Sequence, residues 1–387
     1  MSSSALRDRL VDWALEAGFD RAGVAALAPA EHGGFLLRWL QEGRHAGMGY
    51  LQRRVEARLE PSRVLDGACS VLCVALRYHP LAGEEEAGGD LWPRVARYAR
   101  GRDYHDVMEG RLRALSARIV EGFPGCATRW YVDTGPVLER ELAARAGLGA
   151  VGKNTCLLER EMGSWFLLGE LFLTLEPSPS QPLSDMCGSC TLCLDACPTG
   201  ALPAPYLLDS NRCISYWTIE HRGPLPRAAR EMVGDWVFGC DVCQEVCPWN
   251  RRRQQPADHP ELRLPAARGE LDLAGLLGLS REAYVERFRG SPMKRAKREG
   301  LQRNAAVAMG NRGDPGYVPA LAAALDDPSA LVRGHAAWAL GRIGGAAARR
   351  ALAQAREVEG DADVRGELER ALGSIARSGR DAAGGRG

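Results

Sequence analysis

Hydrophobic positions in the first half of the chain follow two patterns. Apolar-rich runs predict a buried strand at Val71–Leu76 and further strands at Trp130–Val132 and Phe166–Leu175, whereas the spacing of apolar residues across His105–Glu121 predicts an amphipathic helix. Strands alternating with helices over residues 5–175 indicate an N-terminal domain of the α/β (α+β) class.

The last third of the chain carries an internal repeat. The segments NAAVAMGNRGD from Asn304, HAAWALGRIGG from His335 and the weaker ELERALGSIA from Glu367 are alike and rich in Ala and Leu. Their separation is roughly thirty residues, which is typical of stacked helical repeats.

A Pro/Ser-rich stretch at 176–185 reads EPSPSQPLSD and predicts a linker. Most of the cysteines follow it, and the polar, Pro-rich stretch after Pro248 leads into the helical repeats. We therefore expect domains at 1–180, 181–255 and 256–378, with a tail at 379–387.

Composition and charge add few constraints of their own. The chain has 387 residues, of which 45% are hydrophobic and 26% charged, and its net charge is +1. That balance predicts a globular protein and no particular partner. The N-terminus lacks the pattern of an export signal, and no apolar run is long enough to span a bilayer, so we expect a cytoplasmic protein with no membrane partner. In a reducing compartment, its twelve cysteines serve as metal ligands or buried thiols more often than as disulfides.

Eight of the cysteines form a distinctive constellation. The first four follow the pattern C-x2-C-x2-C-x3-C-P, which is the signature of bacterial ferredoxins with two 4Fe-4S clusters, and a partial second copy ends at Cys247 and Pro248. In that signature the fourth cysteine binds the other cluster. The predicted ligands are Cys187, Cys190, Cys193 and Cys247 for cluster one, and Cys197, Cys213, Cys240 and Cys243 for cluster two.

Zinc is the alternative for this constellation, because C-x2-C pairs also bind zinc. Three cysteines at two successive two-residue gaps, closed by Cys-Pro, favour iron-sulfur clusters. The remaining cysteines lack metal-like spacing and are expected to be buried or surface thiols. They are Cys69, Cys73, Cys126 and Cys156.

Asp133 follows a short predicted strand and precedes a predicted helix. A carboxylate at the end of a strand lies where ligands bind in many α/β folds, and an apolar pocket would make it a proton donor. A helix N-cap is the structural alternative. Nearby, GLGAVGKN at 147–154 either cradles a phosphate or only turns the chain.

Seven segments, taken in order, closely resemble the epoxyqueuosine reductase family. They are RYARGRDYH, YVDTGPVLER, GLGAVGKNTCLL, GSWFLLGELFL, CGSCTLCLDACPTGAL, RCISYWTIEHRG and FGCDVCQEVCPWN. The resemblance runs from about residue 5 to Asn250, and the C-terminal repeats are similar to the HEAT-like repeats of many members.

This resemblance implies an enzyme that reduces epoxyqueuosine at the wobble position of tRNA to queuosine, the last step of queuosine synthesis. It also implies an N-terminal cobalamin-binding domain similar to flavin nitroreductases, a ferredoxin-like domain whose clusters reduce cobalt, and a helical repeat domain. Asp133 matches the family's proposed proton donor. Arg58, Asn154 and Ser164 are the residues we expect to hold cobalamin.

Two further groups are candidates for substrate contact. Tyr104 and His105 are expected to line the substrate pocket, although such a pair can equally be structural. A basic stretch late in the chain predicts a phosphate-binding stripe, with an ordinary solvated helix face as the alternative. The stretch contains Lys294, Arg295, Lys297, Arg298 and Arg303.

Two other functions fit the same cofactors. A corrinoid reductive dehalogenase would act on small halogenated molecules, and a non-catalytic electron-transfer protein would use the N-terminal domain only for docking. The missing export signal and the basic repeats count against the dehalogenase. For the reductase, we expect a flavodoxin or ferredoxin as the electron donor and a monomeric protein.

Overall fold

The computed structural model describes residues 1–78, 91–251, 259–265 and 271–384. Contacts within the chain divide it into two compact units. The first unit contains Met1–Glu85, Gly101–Cys213 and Asp241–Arg263, and the second contains Glu86–Arg100, Ile214–Cys240 and Leu264–Gly387.

A four-stranded antiparallel sheet forms the centre of the first unit. Its strand order is β1-β2-β6-β3, and a two-stranded ribbon of β4 and β5 lies outside it. The sheet confirms the three strands predicted from apolar runs, and its antiparallel pairing corresponds to the α+β form of the predicted class. The strands are β1 Arg21–Ala26, β2 Ser70–Arg77, β3 Thr128–Tyr131, β4 Ala150–Val151, β5 Leu157–Leu158 and β6 Phe166–Leu173.

Helices of the first unit include one long amphipathic helix, α4, at the position predicted from the spacing. Its N-cap is Asp103, whose side chain accepts a hydrogen bond from the backbone N–H of His105. The helices are α1 Ser3–Glu16, α2 Gly33–Gln41, α3 Val55–Leu59, α4 Tyr104–Gly122, α5 Glu139–Arg145, α6 Leu192–Ala196, α8 Val242–Glu245 and α9 Pro248–Arg251.

One face of the sheet packs against α5. Val71, Ala75 and Phe172 from the strands form a buried apolar cluster with Leu142 and Ala143 of α5. Because this helix is held against the sheet, its first residue and the β3–α5 loop before it have defined positions. That loop carries Asp133.

The second unit is helical and contains the repeats. Its helices are α7 Arg227–Met232, α10 Leu273–Leu277, α11 Arg281–Arg287, α12 Lys297–Arg312, α13 Val318–Ala323, α14 Ala330–Ile343, α15 Gly345–Val358 and α16 Ala362–Gly384. The three predicted repeat segments lie in α12, α14 and α16, which pack in series.

Glycines explain why the repeat segments resemble one another. A Cβ atom on Gly310 would lie 2.9 Å from Cα of Ala339, and one on Gly341 would lie 2.8 Å from Cα of Ala371. Each glycine therefore allows its helix to approach the next one closely. The equivalent Gly373 meets no following helix among the described residues, as expected for the last repeat.

The end of the chain differs from the prediction. Helix α16 continues to Gly384, so residues 379–384 extend a helix where a separate tail was predicted, and 385–387 lie outside the described residues. The predicted boundary at 255/256 also lies outside them. No helix in the described part of the chain is long and apolar enough to cross a membrane.

Candidate functional site

Asp133 lies in the loop between β3 and α5. Its φ angle of 57° is in the left-handed region, which is unusual for a residue other than glycine. Helix α5 begins at Glu139, and its N-cap is Leu138, so the N-cap alternative for Asp133 is wrong. The side chain of Asp133 is 59% exposed. A strained loop thus presents a carboxyl group to the surface of the unit.

Two side chains at the start of α4 meet this carboxyl group. The Tyr104 hydroxyl donates a hydrogen bond of 3.1 Å to Oδ2 of Asp133, and Nε2 of His105 lies 3.5 Å from the same oxygen. The two rings stack with centroids 4.1 Å apart. The structure therefore brings Asp133 together with two residues that lie 28 and 29 positions before it in the sequence.

His105 carries a positive charge at neutral pH. Burial would lower the pKa of its imidazole, but hydrogen bonds with Asp103 and Asp133 outweigh burial and raise the pKa to about 9. The ring nitrogen Nδ1 is 2.7 Å from Oδ1 of Asp103. The resulting imidazolium fixes the orientation of Asp133 and balances a negative charge that forms there.

The four predicted ligands of cluster one lie close to one another in the first unit. Cys187 interacts electrostatically with Cys190 and with Cys193, and Cys247 interacts with Cys187, Cys190 and Cys193. Burial, together with the neighbouring thiols of Cys187 and Cys247, raises the pKa of Cys193 to about 11. Four such thiols become thiolates together only when a cation compensates their charge, which suits an iron-sulfur cluster.

The predicted ligands of cluster two contact residues outside their own set. Sγ of Cys197 accepts a hydrogen bond of 3.2 Å from the backbone N–H of Ala201. A hydrogen bond with Cys243 lowers the pKa of Cys156, against the effect of burial. Cys240 belongs to the second unit, and its role as a ligand stays a prediction.

No group of three or more His, Cys, Asp or Glu side chains in the described ranges is tight enough to hold a single metal ion. A 4Fe-4S cluster places its four thiolates on four separate irons, so its ligands stand further apart than those of one zinc ion.

The glycine-rich segment 147–154 turns the chain at Gly147 and includes the short strand β4. Gly147 has a φ of 78°, and a Cβ atom on it would lie 2.4 Å from the Gln181 carbonyl oxygen. Nζ of Lys153 then donates to the carbonyl oxygens of Gly188 at 2.6 Å and Cys190 at 3.0 Å. These contacts favour the turn over the phosphate cradle, and Lys153 ties the turn to the first cysteine motif.

Arg58, Asn154 and Ser164 are all buried. Asn154 donates from its side-chain amide to the carbonyl oxygen of Cys243. Ser164 donates from Oγ to Gln244 and accepts from the side-chain amide of Asn250. The partners Gln244 and Asn250 were not predicted, because an isolated Gln or Asn in a sequence carries no signal.

Arg58 has a different environment. Its guanidinium donates to the backbone carbonyl of Arg53 at 2.8 Å, and in the described part of the chain it forms no ion pair with a carboxylate. Burial lowers its pKa, and the charge of Arg54 adds to this effect. A buried cation without an acidic partner is suited to bind an anion.

Only some side chains of the predicted basic stripe are available to bind a phosphate. Arg295 pairs with Glu220, and Arg298 pairs with Asp327 at 2.7 Å. Lys294 and Lys297 are exposed, and their side chains form no ion pair with any described residue.

The prediction that Arg303 belongs to the phosphate-binding stripe is wrong. It is completely buried and donates hydrogen bonds to the backbone carbonyls of Trp217, His221 and Gly223. A buried guanidinium whose donors are engaged cannot reach a phosphate, so its role is structural.

Three family models match the chain. A model described as "4Fe-4S double cluster binding domain" matches residues 186–250, and one described as "Epoxyqueuosine reductase QueG, DUF1730" matches residues 58–134. A model described as "HEAT repeats" matches residues 293–373. Together with the geometry above, they define an iron-sulfur oxidoreductase with two 4Fe-4S clusters and a helical repeat segment.

Similarity to individual proteins extends over nearly the whole chain. An epoxyqueuosine reductase of Alicycliphilus denitrificans is 42% identical over 356 residues, which cover 87% of this chain and 98% of that protein. The chain belongs to the epoxyqueuosine reductase family and is an oxidoreductase of that family. This membership favours epoxyqueuosine reduction over the dehalogenase and over a non-catalytic electron carrier.

Two solved structures are also similar. An epoxyqueuosine reductase with an epoxyqueuosine-modified tRNA-Tyr stem loop has a TM-score of 0.88 at 32% identity, covering 97% of this chain and 100% of that one. The enzyme from Bacillus subtilis has a TM-score of 0.87 at 32% identity and the same coverage. It was solved with a catalytic loop, named for an aspartate, swung out of the active site.

The ligand assignment predicts different effects for two buried cysteines. Replacing Cys247 with serine removes one ligand of cluster one, so we expect the anaerobically reconstituted protein to lose about half of its iron and sulfide. The matched control is Cys126→Ser, because the Cys126 thiol donates only to the backbone carbonyl of Ala127. Iron and sulfide analysis with electron paramagnetic resonance measures the difference. Equal iron contents in the two variants would contradict the assignment.

Proposed function

We propose that this chain reduces epoxyqueuosine at the wobble position of tRNA to queuosine, using cobalamin and two 4Fe-4S clusters. The observation that carries the proposal is its full-length likeness to the reductase solved with an epoxyqueuosine-modified stem loop. The resemblance supports a cytoplasmic tRNA-processing role, a monomer, and a flavodoxin or ferredoxin as electron donor.

Asp133 is the proton donor in this proposal. Removing the epoxide oxygen breaks two C–O bonds, and an oxygen that leaves unprotonated is a poor leaving group. The exposed carboxyl group of Asp133, which accepts a hydrogen bond from Tyr104, is placed to pass to that oxygen a proton supplied by the His105 imidazolium 3.5 Å away. The aspartate-named catalytic loop of the Bacillus subtilis enzyme supports this role. Tyr104 and His105 then line the substrate pocket as well as orient the acid.

Cobalamin fits the residues of the first unit. Its nucleotide loop carries a phosphate, and Arg58 is a buried cation with no carboxylate partner in the described ranges. Asn154 and Ser164 complete the proposed set, next to the segment 243–250 that carries cluster ligands. When bound, cobalamin supplies low-valent cobalt that passes electrons to the epoxide.

The finer architecture is also a proposal. We infer a cobalamin-binding domain at 1–180 that is similar to flavin nitroreductases, a ferredoxin-like domain at 181–255 and a tRNA-binding repeat domain at 256–378. The antiparallel sheet, the family model over 186–250 and the stacked helices α12, α14 and α16 support these three assignments.

The exposed lysines of the repeat unit are proposed to contact tRNA phosphates. Replacing Lys294 and Lys297 together with glutamine should weaken tRNA binding and lower the slope of log K against log salt by about 1 for each lost contact. Fluorescence anisotropy at several salt concentrations measures both effects.

The matched control removes two other exposed cations, Arg349 and Arg350 of α15. A double glutamine variant there changes the net charge equally and should leave the salt slope unchanged. If both double variants lose affinity to the same extent, the effect is one of overall charge and the two lysines are not specific contacts.

The experiment that tests the proposed function is conversion of modified tRNA. Protein purified without oxygen and reconstituted with clusters and cobalamin is incubated with epoxyqueuosine-containing tRNA and a low-potential reductant. Nucleoside mass spectrometry should detect queuosine only when cobalamin is present. A protein that holds both clusters and the corrinoid but forms no queuosine would contradict the proposal.

A further inference from the structure

A single buried hydroxyl group joins two stretches of the second unit that are far apart in sequence. Thr218 lies in a π-helical turn at Tyr216–Glu220 and is completely buried. Its Oγ1 donates a hydrogen bond of 2.8 Å to the carbonyl oxygen of Ile214 and accepts one of 2.9 Å from the backbone N–H of Gly239. A hydroxyl group has one donor and two acceptor positions, so it serves both partners at once.

Both partners of the hydroxyl are direct neighbours of a predicted ligand of cluster two. Cys213 precedes Ile214 in the chain, and Cys240 follows Gly239. The Thr218 hydroxyl therefore fixes the distance between the backbone after one cysteine and the backbone before the other. Because each cysteine begins one residue from this tie, the hydroxyl limits where the two thiols can lie. Two cysteines whose neighbouring backbone is tied in this way are suited to bind one cluster.

The stretch that leads to Cys240 is also held by a neighbouring segment. The backbone N–H of Ala96 donates a hydrogen bond of 2.8 Å to the carbonyl oxygen of Phe238. Gly239 has a φ angle of 71°, and a Cβ atom on it would lie 2.5 Å from Cβ of Ala96. Glycine is thus required for this close approach. The N–H that reaches Thr218 has a defined position before the hydroxyl binds it.

Helix α12 of the repeats binds the same two stretches. Asn304 of this helix is completely buried, and its side-chain amide donates to the carbonyl oxygens of Thr218 and Val237, both at 2.8 Å. Its Oδ1 accepts a hydrogen bond of 2.9 Å from the guanidinium of Arg303. One side chain of the repeats therefore supports both stretches that the Thr218 hydroxyl joins.

Loss of the Thr218 hydroxyl would disturb the backbone beside both cysteines. The buried carbonyl of Ile214 and the buried N–H of Gly239 would lose the partner that they share, which favours a local rearrangement. Such a rearrangement moves the ligands that follow and precede these residues. The reduction potential of an iron-sulfur cluster depends on the hydrogen bonds and the residues around its ligands, so it reports the change.

We propose that Thr218 and Asn304 are positioning residues for cluster two, an inference that rests on the two clusters of the proposed function. They hold Cys213 and Cys240 at the separation that the cluster requires, and they thereby set its stability and its reduction potential. Neither residue is a ligand. The alternative is that the Thr218 hydroxyl only stabilises the turn, in which case its removal lowers the stability of the unit and leaves the potential of the cluster unchanged.

The first test compares Thr218→Val with Thr218→Ser in the full chain, reconstituted with clusters in the absence of oxygen. Valine replaces the hydroxyl with a methyl group of similar size, whereas serine keeps the hydroxyl. Redox titration followed by electron paramagnetic resonance measures the midpoint potential of each cluster. Cys213→Ser, which lacks a ligand of cluster two, and Cys247→Ser, which lacks a ligand of cluster one, identify the two signals.

We expect Thr218→Val to shift the potential of cluster two or to lose that cluster, while cluster one keeps its wild-type potential. A ferrous-iron chelator should remove iron from cluster two roughly five-fold faster than in the wild type, the factor that corresponds to one lost buried hydrogen bond. Thr218→Ser should restore both values. If Thr218→Val does not fold, Thr218→Ala, whose smaller side chain cannot clash, is measured against the same criteria.

Asn304 is tested against a matched residue of the same helix. The side-chain amide of Asn311 also donates to two backbone carbonyls, those of Arg230 and Gly234, but neither carbonyl is next to a predicted ligand. We expect Asn304→Leu and Asn311→Leu both to lower the midpoint of urea unfolding, and only Asn304→Leu to change cluster two. Wild-type potentials in both variants would contradict the role of Asn304.

Ser291→Ala is the control for loss of a buried hydroxyl. Ser291 is a completely buried residue of the second unit, and its hydroxyl accepts a hydrogen bond from the backbone N–H of Met293. This variant should lower stability and leave both potentials as in the wild type. A shift of cluster two in Ser291→Ala equal to that in Thr218→Val would show a general loosening of the unit and overturn the proposal.

An unchanged potential and an unchanged rate of iron release in Thr218→Val would also overturn it. These measurements need neither tRNA nor cobalamin, so they separate this proposal from the proposed function. A chain that shows the expected shift but forms no queuosine would contradict the proposed function alone. A chain that forms queuosine and shows no shift would contradict only the positioning role.

Discussion

Asp133→Asn is expected to lower the rate of epoxyqueuosine reduction by about 10²- to 10⁴-fold, the range for loss of a general acid. Asparagine keeps the shape of the side chain and can still accept a hydrogen bond from Tyr104, but it has no acidic proton to give. Iron content and tRNA affinity should match the wild type, because the contacts described for Asp133 are with Tyr104 and His105 and the replacement keeps the shape of the side chain.

The matched control for this variant is Asp66→Asn, which changes another exposed aspartate of the first unit. Single-turnover conversion, measured beside iron analysis and tRNA binding, separates chemistry from assembly. If Asp133→Asn retained the wild-type rate, the general acid would have to be another group, and the roles proposed for Tyr104 and His105 would also be wrong.

Arg303→Met is expected to destabilise the second unit by about 3 kcal/mol or more. The change leaves the carbonyls of Trp217, His221 and Gly223 buried without their donor, and it removes the bond between Arg303 and Asn304. Burial lowers the pKa of Arg303 to about 9, so the residue is charged at neutral pH and the site is built for a cation. The midpoint of urea unfolding, followed by tryptophan fluorescence, measures the loss.

Arg342→Met is the matched control for Arg303. Arg342 forms an exposed ion pair with Glu231, and such pairs contribute roughly 0–1 kcal/mol. A stable Arg303→Met protein with weakened tRNA binding would restore Arg303 to the nucleic-acid surface and contradict its structural role.

Strands β2, β3 and β6 of the first unit could be predicted from apolar-rich runs of sequence, whereas β1, β4 and β5 were not predicted. Their antiparallel order could not, since Glu170 meets Tyr131 and Cys73 only through pairing between distant segments. The same limit applies to the site, where Tyr104 and Asp133 come together across 29 positions.

Local signals were more informative than long-range ones. The cysteine spacing predicted the double-cluster segment correctly, because the signature lies within one stretch of chain. The charge pattern around Arg303 wrongly predicted a phosphate contact. A run of basic residues does not reveal which of them another segment of the chain buries. A lone glutamate in the strand FLLGELFL was a signal for a buried acid that could have been used.

The most direct test of the account is a single turnover without external reductant. Enzyme that holds both clusters and cobalamin is reduced, freed of the reductant and mixed with epoxyqueuosine-containing tRNA, and the queuosine formed is counted by mass spectrometry. The account predicts a single queuosine per loaded chain, and none when cobalamin is left out or when Cys247 is replaced with serine. Equal conversion with and without cobalamin, or no conversion by the fully loaded enzyme, would contradict it.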